Sequence, residues 1–204
     1  QANIALRFDT VATPETILQD RPDAVVIATG SRPKDHPIPG EYGPPAVLNA
    51  WQILNEEVPT ADRVLVIDAD GHHASCSVAE FLADKGKSVH IVTSALFVGG
   101  NLGPVQDFHL SRQRLIRKNV TFTPDIAVIE IQGTLVKGVQ VYSGEFVEID
   151  GYDTIVLVMG NQSNDELYQA LRGQVAEIYC IGDSVAPRKA DMAVYEGHMV
   201  GRKI

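Results

Sequence analysis

The sequence is short of several things at once, and each shortage excludes something. Cysteine occurs twice in 204 residues, as Cys76 and Cys180, far apart in the chain. A disulfide framework and a clustered metal site are therefore not expected, and a four-cysteine iron–sulfur cluster cannot be built from this chain alone. The thiol-poor pattern fits a reducing, cytoplasmic setting. No apolar run reaches the roughly 18 residues of a membrane helix, and no signal-peptide pattern follows Gln1, so no membrane association is expected. Basic residues are scarce: 17 Lys and Arg against 26 Asp and Glu give a net charge of -9. Nucleic acid and anionic lipid both need positive surface, so neither is an expected partner, while a basic protein surface stays open. An initiator Met is also missing, which reads as a fragment or a processed product.

What is there suits an ordinary globular protein: 45% hydrophobic and 21% charged residues, enough for one substantial core or two small ones. Six apolar runs read as strands: Ala24–Ala28, Val64–Ile67, Val89–Val92, Ile126–Ile131, Thr154–Val158 and Ile178–Ile181. Most are continuous, as in a parallel sheet covered on both faces. From Ser75 to Lys85 the positions Val78, Ala79, Phe81 and Leu82 recur at helical spacing up to Gly86, a good C-terminal cap, which makes a βαβ unit. A second helix is expected from about Val105 to Asn119. Phe108, Leu110, Leu115 and Ile116 supply its apolar stripe, and Arg112, Arg114, Arg117 and Lys118 its solvated face. Ile126 to Ile149 then alternates apolar and polar, with Gly133, Gly138 and Gly144 near turns, which reads as an antiparallel meander.

One internal echo organises the chain. Asp23-Ala-Val-Val-Ile-Ala-Thr-Gly30 and Asp153-Thr-Ile-Val-Leu-Val-Met-Gly160 share one form, and each reads as a strand leaving a domain. The five prolines between Pro33 and Pro45 exclude helix and central strand and give an extended connector. The expected division is 1–62 as part of one domain with the connector, 63–160 as an inserted domain, and 161–204 as the return of the first.

These residues carry a family resemblance. "PDAVVIATGSRPKDHPIPG", a βαβ unit, "DTIVLVMGNQSN" and "YCIGDSVAPRKADMAVYEGHMVGRKI" are similar, in order and spacing, to the two-dinucleotide-domain flavoprotein reductases. The closing run most resembles the carboxy-terminal part of the trimethylamine dehydrogenase and 2,4-dienoyl-CoA reductase group, whose amino ends resemble old yellow enzyme. The resemblance implies an α/β fold, a Rossmann-like FAD/NAD(P)-binding type of parallel sheet with a small meander. It also implies that the chain is a carboxy-terminal piece, since the Gly-x-Gly-x-x-Gly strand that should precede Asp23 is absent. The TIM barrel, FMN and 4Fe-4S cluster would lie upstream, and the barrel would be the first partner.

On that pattern Ala28, Thr29 and Gly30 form the crossover that approaches FAD or ADP. Gly182 allows close approach, and Asp183 matches the aspartate that hydrogen-bonds the ribose or ribityl region; an Asp that closes a turn or caps the helix near Lys189 is the plain alternative. Arg188 meets a phosphate or an acidic neighbour. In the inserted domain Asp68-Ala69-Asp70-Gly71 stands where an NAD(P) domain carries its glycine loop, in a turn about two residues longer. The family's first glycine makes the tight turn and its second lets backbone approach the pyrophosphate. Here both positions are aspartates, whose carboxylates repel a pyrophosphate by roughly 1 kcal/mol per close pair even in water. Nor does the second strand end in an acidic residue for a ribose, since Thr93 and Ser94 follow it.

His72 and His73 could be read as metal ligands or phosphate contacts, but adjacent histidines on a turn diverge, and a solvent-facing turn is expected. Ser75 and Ser77 are N-cap candidates rather than nucleophiles. The expectation is a region of an FMN and iron–sulfur oxidoreductase of the amine-dehydrogenase or N-demethylase kind, passing electrons to an electron-transfer flavoprotein, with no catalytic residue in this chain and no NAD(P) bound. An NAD(P)H-dependent enoate or 2,4-dienoyl-CoA reductase is the alternative. A non-catalytic structural and partner-docking domain is the third reading.

Overall fold

The computed structural model describes residues 4–34, 38–41, 46–105 and 107–204. The chain begins with helix α1 (Pro14–Gln19) and strands β1 (Ala24–Ile27), β2 (Ser31–Pro33), β3 (Gly40–Glu41) and β4 (Ala46–Asn49), followed by helix α2 (Ala50–Leu54). Next come β5 (Arg63–Asp68), α3 (His73–Asp84), β6 (Ser88–Thr93) and, after a 3-10 segment over Gly100–Val105, α4 (Phe108–Arg117). Strands β7 (Thr121–Thr123), β8 (Ile126–Gln132), β9 (Leu135–Gln140), β10 (Phe146–Ile149), β11 (Thr154–Val158) and β12 (Asn161–Ser163) lead to α5 (Glu166–Leu171). The chain ends with β13 (Glu177–Cys180), a 3-10 turn over Gly182–Ser184, and α6 (Ala190–Gly201).

Two compact units divide the chain, one made of residues 1–32 with 161–204 and the other of 33–160. The second unit is built on a five-stranded sheet in the order β4-β11-β5-β6-β7, parallel throughout. The continuous apolar runs explain it. Along β5 every residue after Arg63 is buried, and β11 is buried at all five positions. Alternate side chains serve two cores. Val64, Val66, Val89, Ile91, Val156 and Val158 pack under α2, α3 and α4. Leu65, Ile67, Val92, Ile155 and Leu157 face the meander. Each such side chain contributes about 1.5–3 kcal/mol relative to staying in water. The strand period of two thus places the sheet between helices and β8–β10.

The meander is antiparallel from β8 through β10, as the alternation predicts. Gly133 and Gly144 lie in its turns. Gly138 does not: it sits inside β9, where a Cβ would stand 2.6 Å from Ile126 Cγ2, so it serves strand packing instead of reversal. The apolar stripe expected for α4 is corrected as well, and two further features define the second unit. Residues 46–62 belong with the second unit, because β4 pairs with β11. The proline stretch contributes β3, an edge strand beside β8, while 35–37 and 42–45 of that stretch lie outside the described residues. The buried face of α4 is Ser111 and Leu115, with Phe108 half-buried beside them; Leu110 and Ile116 are exposed at 58% and 55%. The basic face of α4 packs on its neighbours: Arg114 donates to Glu80 at 3.0 Å, Lys118 pairs with Asp84, and Arg112 stacks over Phe122.

The first unit pairs β1 with β13 in parallel. Val25, Ile27 and Leu171 form its core, with α1 and α5 residues packed around them. The two echoed segments end alike, with Gly30 and Gly160 both at φ +74°, and the short strands that follow them, β2 and β12, pair with each other.

Candidate nucleotide site

In the first unit the ends of β1 and β13 open onto a cavity of about 390 Å³ lined by Ala28, Gly30, Gly182, Asp183 and Arg188, together with Ile181, Ala190 and Ala193. Five of the six residues singled out for this site are thus brought together. Thr29 is not among the lining residues: its hydroxyl donates to the carbonyl of Asn164. The volume falls within the range of small-molecule pockets, and the lining is small and mostly apolar with one carboxylate and one guanidinium. Small residues let a ligand approach backbone closely. Gly182, at φ +65°, lies against α6, where a Cβ would come within 3.4 Å of Ala193 Cβ.

Asp183 is held from two sides. Its Oδ2 accepts the Ser31 hydroxyl at 3.0 Å and its Oδ1 the backbone N–H of Arg188 at 3.0 Å. Asn161 in turn donates to Ser31 at 3.1 Å. A carboxylate offers about four acceptor positions, so Asp183 keeps capacity for hydroxyl donors of a ligand. The turn-closing role and a binding role are both compatible with this geometry. Arg188 pairs with an acidic neighbour, donating to Glu196 at 2.7 Å. Sequence reasoning missed Ser31, Asn161 and Glu196, because their value lies in contacts made across the fold.

In the second unit the turn between β5 and α3 has a different character. Asp68 is 1% exposed, and its Oδ1 accepts the backbone N–H groups of Asp70 at 3.2 Å and Gly71 at 2.9 Å. Those N–H groups belong to the turn where a dinucleotide fold sets its pyrophosphate, and here a carboxylate of the chain itself takes them. The expected repulsion is thus accompanied by occupation of the donors. The other carboxylate oxygen and the buried Ser75 hydroxyl have no hydrogen-bond partner among the described residues, although Ser75 lies near enough to favour the ionised form slightly. Burial dominates and raises the Asp68 pKa.

The 3-10 segment closes the same turn. Asn101 donates its backbone N–H to Gly71 O at 2.9 Å and its side-chain amide to Asp70 O at 3.0 Å. Gly71, at φ +68°, makes room for this contact, since a Cβ would meet Asn101 Nδ2 at 3.0 Å. The space left by glycine is filled by protein. Ala69 donates its N–H to Val158 O at 2.9 Å and so belongs to the sheet. Groups of the chain itself thus hold the N–H donors of this turn and the space beside Gly71.

The remaining candidates find structural roles. His72 Nδ1 carries a proton to the carbonyl of Asp70 at 2.8 Å, since a carbonyl can only accept, and His73 lies 3.4 Å from Asp107. Among the described residues no group of three or more His, Cys, Asp or Glu is placed to hold a metal ion. Neither Ser75 nor Ser77 caps α3: the helix starts at His73, with His72 at the N-cap. The Asp68-centred turn brings the helix in earlier than the serines imply. At the other end Gly86 ends α3 as expected, with Lys87 N–H bonded to Leu82 O and Gly86 N–H to Ala83 O. No helix among the described residues is long and apolar enough to cross a membrane.

The comparisons with known proteins agree with this architecture. The chain is 28% identical over 228 residues to the metal reductase of Desulforamulus reducens, covering 96% of this chain and 33% of that protein. It is 29% identical over 232 residues to the N,N-dimethylglycine/sarcosine dehydrogenase of Chromohalobacter salexigens, covering 95% and 33%. The structure of histamine dehydrogenase from Rhizobium sp. 4-9 superposes with a TM-score of 0.87 at 26% identity, covering 96% of this chain and 33% of that one. The chain therefore spans about a third of the length of these relatives. Residues 9–197 match the model of one family across both units, and the chain belongs to that family, the pyridine nucleotide-disulphide oxidoreductases.

Proposed function

We propose that this chain is the nucleotide-binding, carboxy-terminal region of a flavin oxidoreductase that oxidises amines, and that it holds ADP or FAD in the first unit and no NAD(P) in the second. The observation that carries the reading is the Asp68 carboxylate on the N–H groups of Asp70 and Gly71. An NADH-dependent reductase needs those donors for its pyrophosphate; an enzyme that delivers electrons to another protein does not. Relatives named as amine dehydrogenases support the same direction.

In the first unit Asp183 would accept hydroxyls of the nucleotide sugar, Ala28, Gly30 and Gly182 would admit its backbone-close atoms, and Arg188, paired with Glu196, would hold the turn beside them. Bound there, an adenine nucleotide supplies structure and FAD would add redox chemistry. Catalysis belongs to the upstream region of the parent, with its FMN and 4Fe-4S centre, and the electrons pass to an electron-transfer flavoprotein. The cytoplasm is the compartment this assignment implies.

Isothermal titration of the purified chain with ADP, NADH and NADPH tests the reading. Saturable heat with ADP and none with either nicotinamide is the expected result. Micromolar nicotinamide binding would move the assignment to an enoate or dienoyl-CoA reductase. Electron transfer from the intact parent to an electron-transfer flavoprotein separates the enzyme from a purely structural module.

A further inference from the structure

Glu196 is not among the residues lining this cavity, yet its carboxylate bridges both ends of the segment that does. Oε2 accepts the backbone N–H of Gly182 at 2.7 Å, and Oε1 accepts Arg188 Nη2 at 2.7 Å. Residues 182 and 188 bound the turn that carries Asp183, whose Oδ1 is tied to Arg188 N–H. Helical spacing brings this about. Ala190 and Ala193 of α6 line the cavity, Ala193 is the residue a Cβ on Gly182 would meet, and Glu196 follows one turn further on the same side. Beyond it, Ile181 Cδ1 would lie 3.9 Å from a Cβ on Gly197. One face of α6 thus packs along the whole turn.

The pairing also sets charge. Among the described residues lining the cavity Arg188 is the one cation, and Glu196 already neutralises it. With Asp183 added, the group of three carries a net negative charge. Such a site favours a neutral, hydroxyl-bearing part of a ligand, which can donate to Asp183, over a bare phosphate.

We infer that Glu196 is a positioning residue that clamps the Gly182–Arg188 turn so that Asp183 meets the sugar hydroxyls of an adenine nucleotide. The inference rests on the nucleotide reading of this cavity. Glutamine cannot replace the clamp, because its amide has one oxygen and would present an NH₂ group to the second of two donors. The two simpler roles make different predictions. If Glu196 served only as a counter-charge, its loss would leave Arg188 free and tighten phosphate binding. If it served only stability, its loss would lower the melting temperature and leave affinity alone.

The test is titration of the wild-type chain, Glu196→Gln and Glu196→Asp with ADP and with adenosine, alongside amide hydrogen exchange by NMR. Glu80→Gln, which changes an ion pair of the other unit, is the control. The clamp predicts that Glu196→Gln weakens ADP and adenosine by the same factor, on the order of tenfold, as expected for lost hydrogen bonds to a charged group. It also predicts faster exchange of the Gly182 amide, and a smaller loss of affinity in Glu196→Asp, which retains both acceptors on a shorter stem. Tighter ADP binding with adenosine unchanged would overturn it in favour of a counter-charge role. Unchanged affinity for both ligands in Glu196→Gln would overturn it as well. If the wild-type chain takes up neither ligand, the nucleotide reading fails and the ligand half of the inference falls with it. The exchange rate of Gly182 still decides the clamp itself, and an unchanged rate in Glu196→Gln would overturn that part.

Discussion

Oδ1 of Asp68 accepts the backbone N–H of Gly71 at 2.9 Å, so the turn from β5 into α3 is closed around a carboxylate of its own chain. Such a bond does locally what a bound anion does in a glycine loop: it satisfies backbone donors of the turn that leads into the helix. Asp68→Ala removes the acceptor from two N–H groups and should destabilise the chain by about 1–3 kcal/mol, measured by urea denaturation.

Asp68→Asn separates the hydrogen bonds from the charge. The amide carbonyl retains an acceptor for both N–H groups, while the buried negative charge disappears. Because burial raises the folded-state pKa above the unfolded value, the stability linked to this group is present below the ordinary aspartate range and is lost as pH rises through the raised pKa. Glu196 has the opposite sign: the Gly182 N–H and Arg188 lower its pKa, so its contribution is present above the unfolded value and lost as pH falls through the lowered one. The melting temperature of Asp68→Asn relative to wild type should therefore be more favourable at about pH 7.5 than at about pH 4. An equal difference at both pH values would show that the carboxyl charge has no energetic consequence in the fold.

Gly71 faces Asn101 on the same turn, and the steric part of its role can be isolated. Gly71→Ala forces a Cβ to within 3.0 Å of Asn101 Nδ2 and places alanine at φ +68°, a combination that should cost about 1–3 kcal/mol. Repeating the change in an Asn101→Ala background should recover the contact part and leave the backbone part. A double-mutant cycle by thermal or urea denaturation measures the difference. Strict additivity would mean that Asn101 does not press on Gly71.

How much of this was legible in the sequence depends on the range of the contacts involved. Strands β5, β6 and β11 were readable because a strand buried on both faces has to be apolar at every position, as Val64 to Ile67 shows. The same local logic located the end of α3 at Gly86. Leu110 and Ile116 misled because a helical stripe can be drawn through them, but Ser111, small and buried at 2% exposure, occupies the contact line that they seemed to define. β4 was hidden behind prolines, and only its pairing with β11 makes it a strand. At the candidate site Asp183 and its glycine stood out as a motif. Glu196 did not, since its value is a bond to a backbone N–H fourteen residues away, which no periodicity announces.

The two cysteines should differ sharply in reactivity. Cys76 is buried on the inner face of α3, and burial pushes its thiol up to about 11, whereas Cys180 is half-buried at the end of β13. Thiolate is the reactive form, so at about pH 8 Cys76 carries a thiolate fraction on the order of one part in a thousand. Iodoacetamide under native conditions should label Cys180 ahead of Cys76 by a wide margin, read by peptide mass spectrometry, and unfolding should equalise them. Equal native labelling would mean that α3 opens readily from the sheet.

Asp183 offers the most direct test of the cavity, because its two present partners come from different parts of the first unit. Ser31 donates to Oδ2 and Arg188 N–H to Oδ1. Asp183→Ala removes every acceptor that a sugar hydroxyl would use, and hydrogen bonds to a charged group are worth about 1.5–3 kcal/mol, so ADP affinity should fall by roughly 10- to 150-fold. Ser31→Ala leaves the carboxylate in place but releases one of its two tethers, and should weaken ADP by a smaller factor with little change in stability. The order of the two losses carries the argument. If Ser31→Ala cost as much as Asp183→Ala, the hydroxyl itself would be the ligand contact and Asp183 its support.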